Sequence, residues 1–303
     1  TTPLAAAIFA SDVHETSTNL TGSGTSAMKS VLSTIGSNGV TYNTIGFVGD
    51  TYTDIAGAAG DMTSAAQTAL DQTADVYYAY GDHDEESDIS DESSLLYTGD
   101  YYYIYHISDA DMRSSAGATA SGAASAIEEF ETAVASMDKS KVLFIMSHVP
   151  LHDRRDDNTY ANNWYTAISA VAETMDVVFF WAHNHTSENS VDQAAYYVAK
   201  DGSETMTIYG GSTVTPNFTY MNAGYIYAAG QNPERKGVAT TVEIYADSLI
   251  FQDYNSSGEY TDSSYSHNVT VTREFAAPSE EPEEATLSSI SVGVNKHMYL
   301  LNE

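Results

Sequence analysis

Five short motifs in this 303-residue chain hold residues that could do chemistry: Asp12-Val13-His14, Gly49-Asp50, Gly81-Asp82-His83-Asp84, Ser147-His148 and Ala182-His183-Asn184-His185. Their donors are imidazole nitrogens and carboxylate oxygens. No cysteine occurs, so thiolate ligands and disulfides are excluded. Such a donor set suits Zn²⁺, Mn²⁺ or iron better than Ca²⁺ or Mg²⁺, because imidazole is a poor partner for hard ions. Taken singly, each motif reads as a loop, a turn, a helix cap or a core histidine. Taken together, they hold five of the nine histidines and more ligands than one ion takes. Two ions sharing a carboxylate is the natural solution.

These motifs need elements that bring them together. Leu4 to Ala10, Thr44 to Val48, Asp75 to Tyr80, Tyr101 to Ile107, Lys141 to Met146 and Asp176 to Ala182 read as buried strands. Thr25 to Ile35, Ile55 to Leu70, Ala123 to Met137 and Asn163 to Met175 space their apolar residues at helical intervals. Continuous apolar strands alternating with helices predict a mainly parallel sheet covered on both faces. All five motifs directly follow strands. Ligands of open parallel sheets bind outside the carboxyl ends of the strands, so the motifs converge on one edge. His183 and His185 sit two apart, which puts both rings on one face of an extended segment.

After about residue 190 the pattern turns antiparallel, with strands expected at Tyr196 to Lys200, Thr205 to Tyr209, Gly224 to Ala229, Val238 to Ala246, Ser248 to Tyr254 and Val269 to Phe275. These predict a second sheet beside the first. The domain reading is 1–277 as one unit, 278–285 as an acidic Pro/Glu linker, and 286–303 as a strand-like segment. That last segment is too short for a domain. It resembles the opening strand of a bacterial immunoglobulin-like surface domain, and it suggests self-association or further domains.

Acidic residues outnumber basic ones by 42 to 11, a net charge of −31, which disfavours duplex nucleic acid and anionic membranes as partners. No apolar run is long enough to span a bilayer. An opening of Thr1-Thr2-Pro3 and the lack of cysteine suit a mature secreted chain, so an extracellular or cell-surface location is expected. Arg154 and Arg155 could reach a second phosphate or a carboxylate. Phe218, Tyr220, Tyr225 and Tyr227 could stack a base or sugar, although such residues more often pack a sheet. His152 is close enough in sequence to His148 to line a pocket.

The order Asp-x-His, Gly-Asp, Gly-Asp-His-Asp, His, Ala-His-x-His resembles that of the calcineurin-like metallophosphoesterases over about residues 4 to 275. The resemblance implies an α/β, four-layer αββα sandwich of two mixed sheets. It implies two divalent or trivalent transition-metal ions (Mn, Fe or Zn). Asp12, His14 and His185 would hold one metal, Asp82, His148 and His183 the other, and Asp50 would bridge. His83 would face the phosphate as general acid or charge stabiliser, and Asp84 would fix its tautomer. The implied reaction is hydrolysis of a small phosphomonoester or phosphodiester by a metal-activated water. Two positions depart from the family pattern. Asp82 stands where asparagine is usual, and Ala182 where glycine is usual. Thr53 takes the place of the tyrosine of plant-type purple acid phosphatases, which disfavours that subgroup. The competing expectation is a structural surface or filament protein that reuses the fold and joins subunits through 286–303.

Overall fold

The computed structural model describes residues 2–53, 58–84, 89–152, 158–183, 197–198, 200, 204–227, 236–262 and 266–276. His185, Arg154, Arg155 and the segment 278–303 lie outside the described residues.

Along the chain, β1 (Ala5–Ala10) leads to α1 (Ser23–Gly36), β2 (Thr44–Val48), α2 (Ala59–Leu70) and β3 (Asp75–Ala79). Next come β4 (Ser94–Thr98), β5 (Tyr102–Ile107), α3 (Ala120–Ala135), β6 (Val142–Ser147), α4 (Ala161–Ala172) and β7 (Val177–Trp181). Short strands β8 (Tyr197–Val198), β9 (Met206–Thr207) and β10 (Thr213–Val214) precede β11 (Thr219–Asn222), β12 (Ala239–Ile244), β13 (Ser248–Asn255), β14 (Gly258–Glu259) and β15 (Val269–Thr272).

The parallel strands do not form one sheet, contrary to the sequence expectation. The first sheet runs β14-β13-β12-β1-β2-β3, with β15 also on β13, and the second runs β4-β5-β6-β7-β11-β8. Thus β1, β2 and β3 are parallel in one sheet, and β5, β6 and β7 are parallel in the other. The late strands, all expected to be antiparallel, are divided between them: β12 pairs antiparallel with β1, whereas β11 pairs parallel with β7. Apolar strands cannot reveal this split, because a strand buried on both faces has the same composition in either sheet. Strands β4 and β11 were not expected, and of the strand expected at Gly224 to Ala229 the described residues, 224–227, form only the isolated bridge of Tyr225 to Lys236.

Three apolar layers result. Met28, Val31, Leu32 and Ile35 of α1 and Met62, Ala66 and Leu70 of α2 cover the first sheet. Phe130 and Val134 of α3 and Trp164, Ile168 and Val171 of α4 cover the second. Between the sheets lie Phe9, Val48, Phe144, Met146, Phe180, Val242 and Phe251. There Phe9 stacks on Phe180, with centroids 4.0 Å apart. Helices, two sheets and helices make four layers, and the two sets of parallel strands open their carboxyl ends at one shared rim.

Candidate metal centre

The loop after β1 and the loop after β2 run side by side. Asp12 N donates to Gly49 O (3.1 Å), His14 N to Asp50 O (3.0 Å) and Thr53 N to Glu15 O (2.9 Å). Glu15 is fully buried, and its carboxylate accepts from the backbone of Thr16, Ser17 and Gly22 and from the Thr25 hydroxyl. It therefore ties the Asp12–His14 loop to the start of α1. Across the other sheet, Ala182 N donates to His148 O (3.0 Å) and holds the loops after β6 and β7 together.

Two glycines allow the loops to close. Gly49 has φ +85°, and a Cβ there would lie 2.3 Å from the His148 ring. A Cβ at Gly81 would lie 2.3 Å from the Asp50 amide nitrogen and carboxylate. Only glycine leaves room for this approach.

Asp50 stands at the centre and is buried. Its Oδ1 accepts from His83 N (3.0 Å), while its Oδ2 lies 3.1 Å from His148 Nε2 and 3.6 Å from His14 Nε2. Among the described residues that Oδ2 accepts no hydrogen bond. Two groups of donors each lie within 4.8 Å of one another: Asp50, Asp82, His148 and His183, and His14, Asp50 and His83. Asp50 belongs to both. Asp12 Oδ1 lies 3.5 Å from His14 Nε2 and joins the second group from the side. Asp50, His148 and His183 are buried, His14 is half-buried, and Asp82 and His83 are exposed. Such an all-nitrogen-and-oxygen donor set, open on one side and with a shared buried carboxylate, fits two transition-metal cations.

The histidines are oriented from behind. His148 Nδ1 lies 3.0 Å from the Val48 carbonyl, which only accepts, so Nδ1 carries a proton and Nε2 is the nitrogen turned toward the carboxylates. His14 Nδ1 meets the Thr53 hydroxyl at 3.0 Å, which turns Nε2 toward Asp12 and Asp50. Burial pushes the His148 imidazole down, but Asp50 and Asp82 outweigh this and hold it well above its usual value. Burial likewise opposes ionisation of Asp82, yet His148 and His183 keep its carboxyl well below the usual range. The field of the site thus draws positive charge to the spot where the donors meet.

Asp84 does a different task from the one expected. Its Oδ1 accepts from Tyr52 N (2.8 Å) and its Oδ2 from Gly81 N (2.9 Å), so it pins two site loops rather than the His83 ring. Burial, then the Asp50 charge, push its carboxyl up to about 7. The His83 ring is exposed and stands edge-on to His14, with centroids 5.3 Å apart. His152 does not line the centre. It is buried edge-on to Trp181, and its Nδ1 lies 2.8 Å from the Tyr220 hydroxyl. Phe218, Tyr220 and Tyr225 are buried packing residues, and Tyr227 is half-buried under Lys236.

Sequence reading missed Glu15, His106 and Arg113. His106 accepts from Tyr80 N (3.1 Å) and so steadies the strand that leads into Gly81-Asp82. Arg113 pairs with Asp82 at 3.5 Å and with Asp109 at 3.1 Å. One signal was available: β5 is a parallel strand too, and Ser108-Asp109 with an arginine four residues on follows its carboxyl end.

No protein-family model and no curated protein matches the chain. Solved structures do match. A dimetal phosphatase from Danio rerio aligns with a TM-score of 0.58 at 10% identity, over 90% of this chain and 100% of that one. The fold is that of the metallophosphoesterases. GAP50, the anchor in the inner membrane complex of Plasmodium, aligns with a TM-score of 0.54 at 10% identity, over 99% of this chain and 95% of that one.

Proposed function

We propose that the protein is a dinuclear metal-dependent hydrolase of phosphate esters. The observation that carries this is the buried Asp50 carboxylate shared by two donor groups at the rim of a metallophosphoesterase fold. Asp50, Asp82, His148 and His183 would hold one cation, and Asp12, His14 and Asp50 the other, with His185 the remaining ligand expected. Bound there, two cations would supply an acidified water and neutralise charge on the phosphoryl oxygens. The chain's own residues do the rest. Asp50 sets the spacing of the two halves, and Val48 O and Thr53 Oγ1 fix which imidazole nitrogens point inward. His83 stands on the exposed side, where it gives a proton to the departing ester oxygen. A small phosphomonoester or phosphodiester is the substrate class, and the chain's acidity supports the exclusion of duplex nucleic acid.

The test is metal content and hydrolysis of a chromogenic phosphate ester, measured on wild type and Asp50→Asn. Wild type should carry about two equivalents of Mn, Fe or Zn, and the variant should lose metal and turnover together. Wild type without metal, and inert after metals are added back, would sink the reading.

A second reading keeps the fold as a building block joined through 286–303. GAP50 supports it by sharing the fold and being an anchor. If it holds, truncation after Ala285 turns an oligomer into a monomer in sedimentation. The extracellular location is likewise a proposal, supported by the lack of cysteine and the acidic surface.

A further inference from the structure

Asp82 is the third carboxylate of the centre, and its two oxygens face different ways. Oδ1 lies 3.4 Å from His148 Nε2 and 3.2 Å from His183 Nδ1, among the metal donors. Oδ2 lies 3.5 Å from Arg113 Nη1, on the far side. Three carboxylates around one centre favour cations but repel the phosphate dianion that the centre must admit. A guanidinium on the outer oxygen of one of them acts against that repulsion.

Arg113 is held for this purpose. Its Nη1 also lies 3.1 Å from Oδ2 of Asp109, which is 1% exposed. Asp111 N and Met112 N donate to Ser108 O (3.1 Å) and Asp109 O (3.0 Å) to close the 3-10 turn Asp109–Asp111, Arg113 N also donates to Asp109 O (2.8 Å), and the Ser108 hydroxyl caps the turn by accepting from Ala110 N. The turn is clamped on α4, because Tyr160 N donates to Met112 O (3.1 Å) and Trp164 Nε1 to Asp111 O (3.0 Å). Little side-chain freedom is left for the ion pair to remove, unlike a surface pair between two mobile side chains. Burial pushes the Asp109 carboxyl up, against the pull of the His148 and Arg113 charges. A cavity of about 310 Å³ lined by Tyr80, Asp82, Asp109, Arg113 and Ser115 opens beside the pair.

We propose that Arg113 is a positioning residue for Asp82: it turns one carboxylate oxygen toward the metal pair and offsets the charge of that carboxylate against an incoming phosphate dianion. This rests on the dinuclear reading above.

The experiment is calorimetric titration of the chelated protein with Mn²⁺, then of the Mn²⁺-loaded protein with inorganic phosphate. It compares wild type, Arg113→Gln, Asp82→Asn and the double variant, with thermal melting as the check on folding. Glutamine keeps a hydrogen-bond donor for the buried Asp109. Arg113→Gln should retain metal but bind phosphate about tenfold more weakly, whereas the same change in the Asp82→Asn background should cost less than about twofold. Arg113→Lys, which keeps the charge, should stay within about threefold of wild type. Equal weakening in both backgrounds, or none in either, overturns the proposal. Should Arg113→Gln not fold, a tenfold loss in Arg113→Lys overturns it instead. Failure of wild type to take up metal would sink the dinuclear reading and this proposal together. Normal uptake with phosphate binding indifferent to residue 82 sinks this proposal alone.

Discussion

Four residues of the centre, Asp12, His14, Asp50 and His183, have positive φ between 48° and 67°. Left-handed backbone at a non-glycine residue costs on the order of 1 kcal/mol or more and persists only where the surroundings impose it. Here the surroundings are the paired loops, whose backbone hydrogen bonds fold the chain back over the rim so that ligand side chains point inward. His83 reaches the same space with an exposed ring, and its neighbours leave two roles to separate: proton donor or extra ligand beside His14 and Asp50. As a proton donor, His83→Ala should keep both metal equivalents and lose about 10²–10⁴-fold in turnover on the chromogenic ester. Elemental analysis that finds one equivalent missing would make His83 a ligand instead.

At the scale of elements, the site is a set of strand ends, and what joins one strand end to the next decides its rigidity. His106, at the end of β5, accepts from Tyr80 N beyond β3 and so crosses from one sheet to the other. To accept there it must stay neutral, and burial lowers its pKa from 6.5 to about 4. The unfolded chain protonates this residue near 6.5 while the folded chain does not, so the unfolded state binds more protons across that window. Stability contributed by neutral His106 is therefore complete above about 6.5 and is lost as pH falls toward 4. Urea unfolding of wild type and His106→Gln at pH 7.5 and pH 5 should show wild type losing about 2 kcal/mol more than the variant on acidification. Parallel losses in the two proteins would mean that His106 does not carry the effect.

At the scale of the whole molecule, a net charge of −31 opposes compactness, and the three carboxylates of the centre add to it. Salt and bound cations should therefore both stabilise, by different routes. Raising NaCl from about 0.1 to 1 M shortens the screening length from about 10 to 3 Å, so the melting temperature of the chelated protein should rise by several degrees without saturating sharply. Mn²⁺ should raise it logarithmically once above its Kd, by about 2.7 kcal/mol of stability at a hundredfold excess, and Asp50→Asn should abolish only the Mn²⁺ effect. A variant that still responds to Mn²⁺ like wild type would place the stabilising cation on the acidic surface rather than at the centre. Among the described residues no helix is long and apolar enough to cross a membrane.

The sequence by itself determined the elements and the donors. Residues buried on both faces of a strand must be apolar in an unbroken run, as in Ala5–Ala10 and Val177–Trp181, and helices must repeat their apolar positions every three to four residues, as in α1. Motifs placed directly after such strands announce one rim, and their residue types announce the chemistry. What each strand pairs with was not legible, because equally apolar strands fit either sheet. The structure alone decided that β1 to β3 and β5 to β7 belong to different sheets. The same division makes Asp50 and Asp82 of one sheet meet His148 and His183 of the other. It alone gave Asp84 to the backbone of Tyr52 and Gly81, and Arg113 to Asp82, since those partners are set by how loops far apart in sequence close in space.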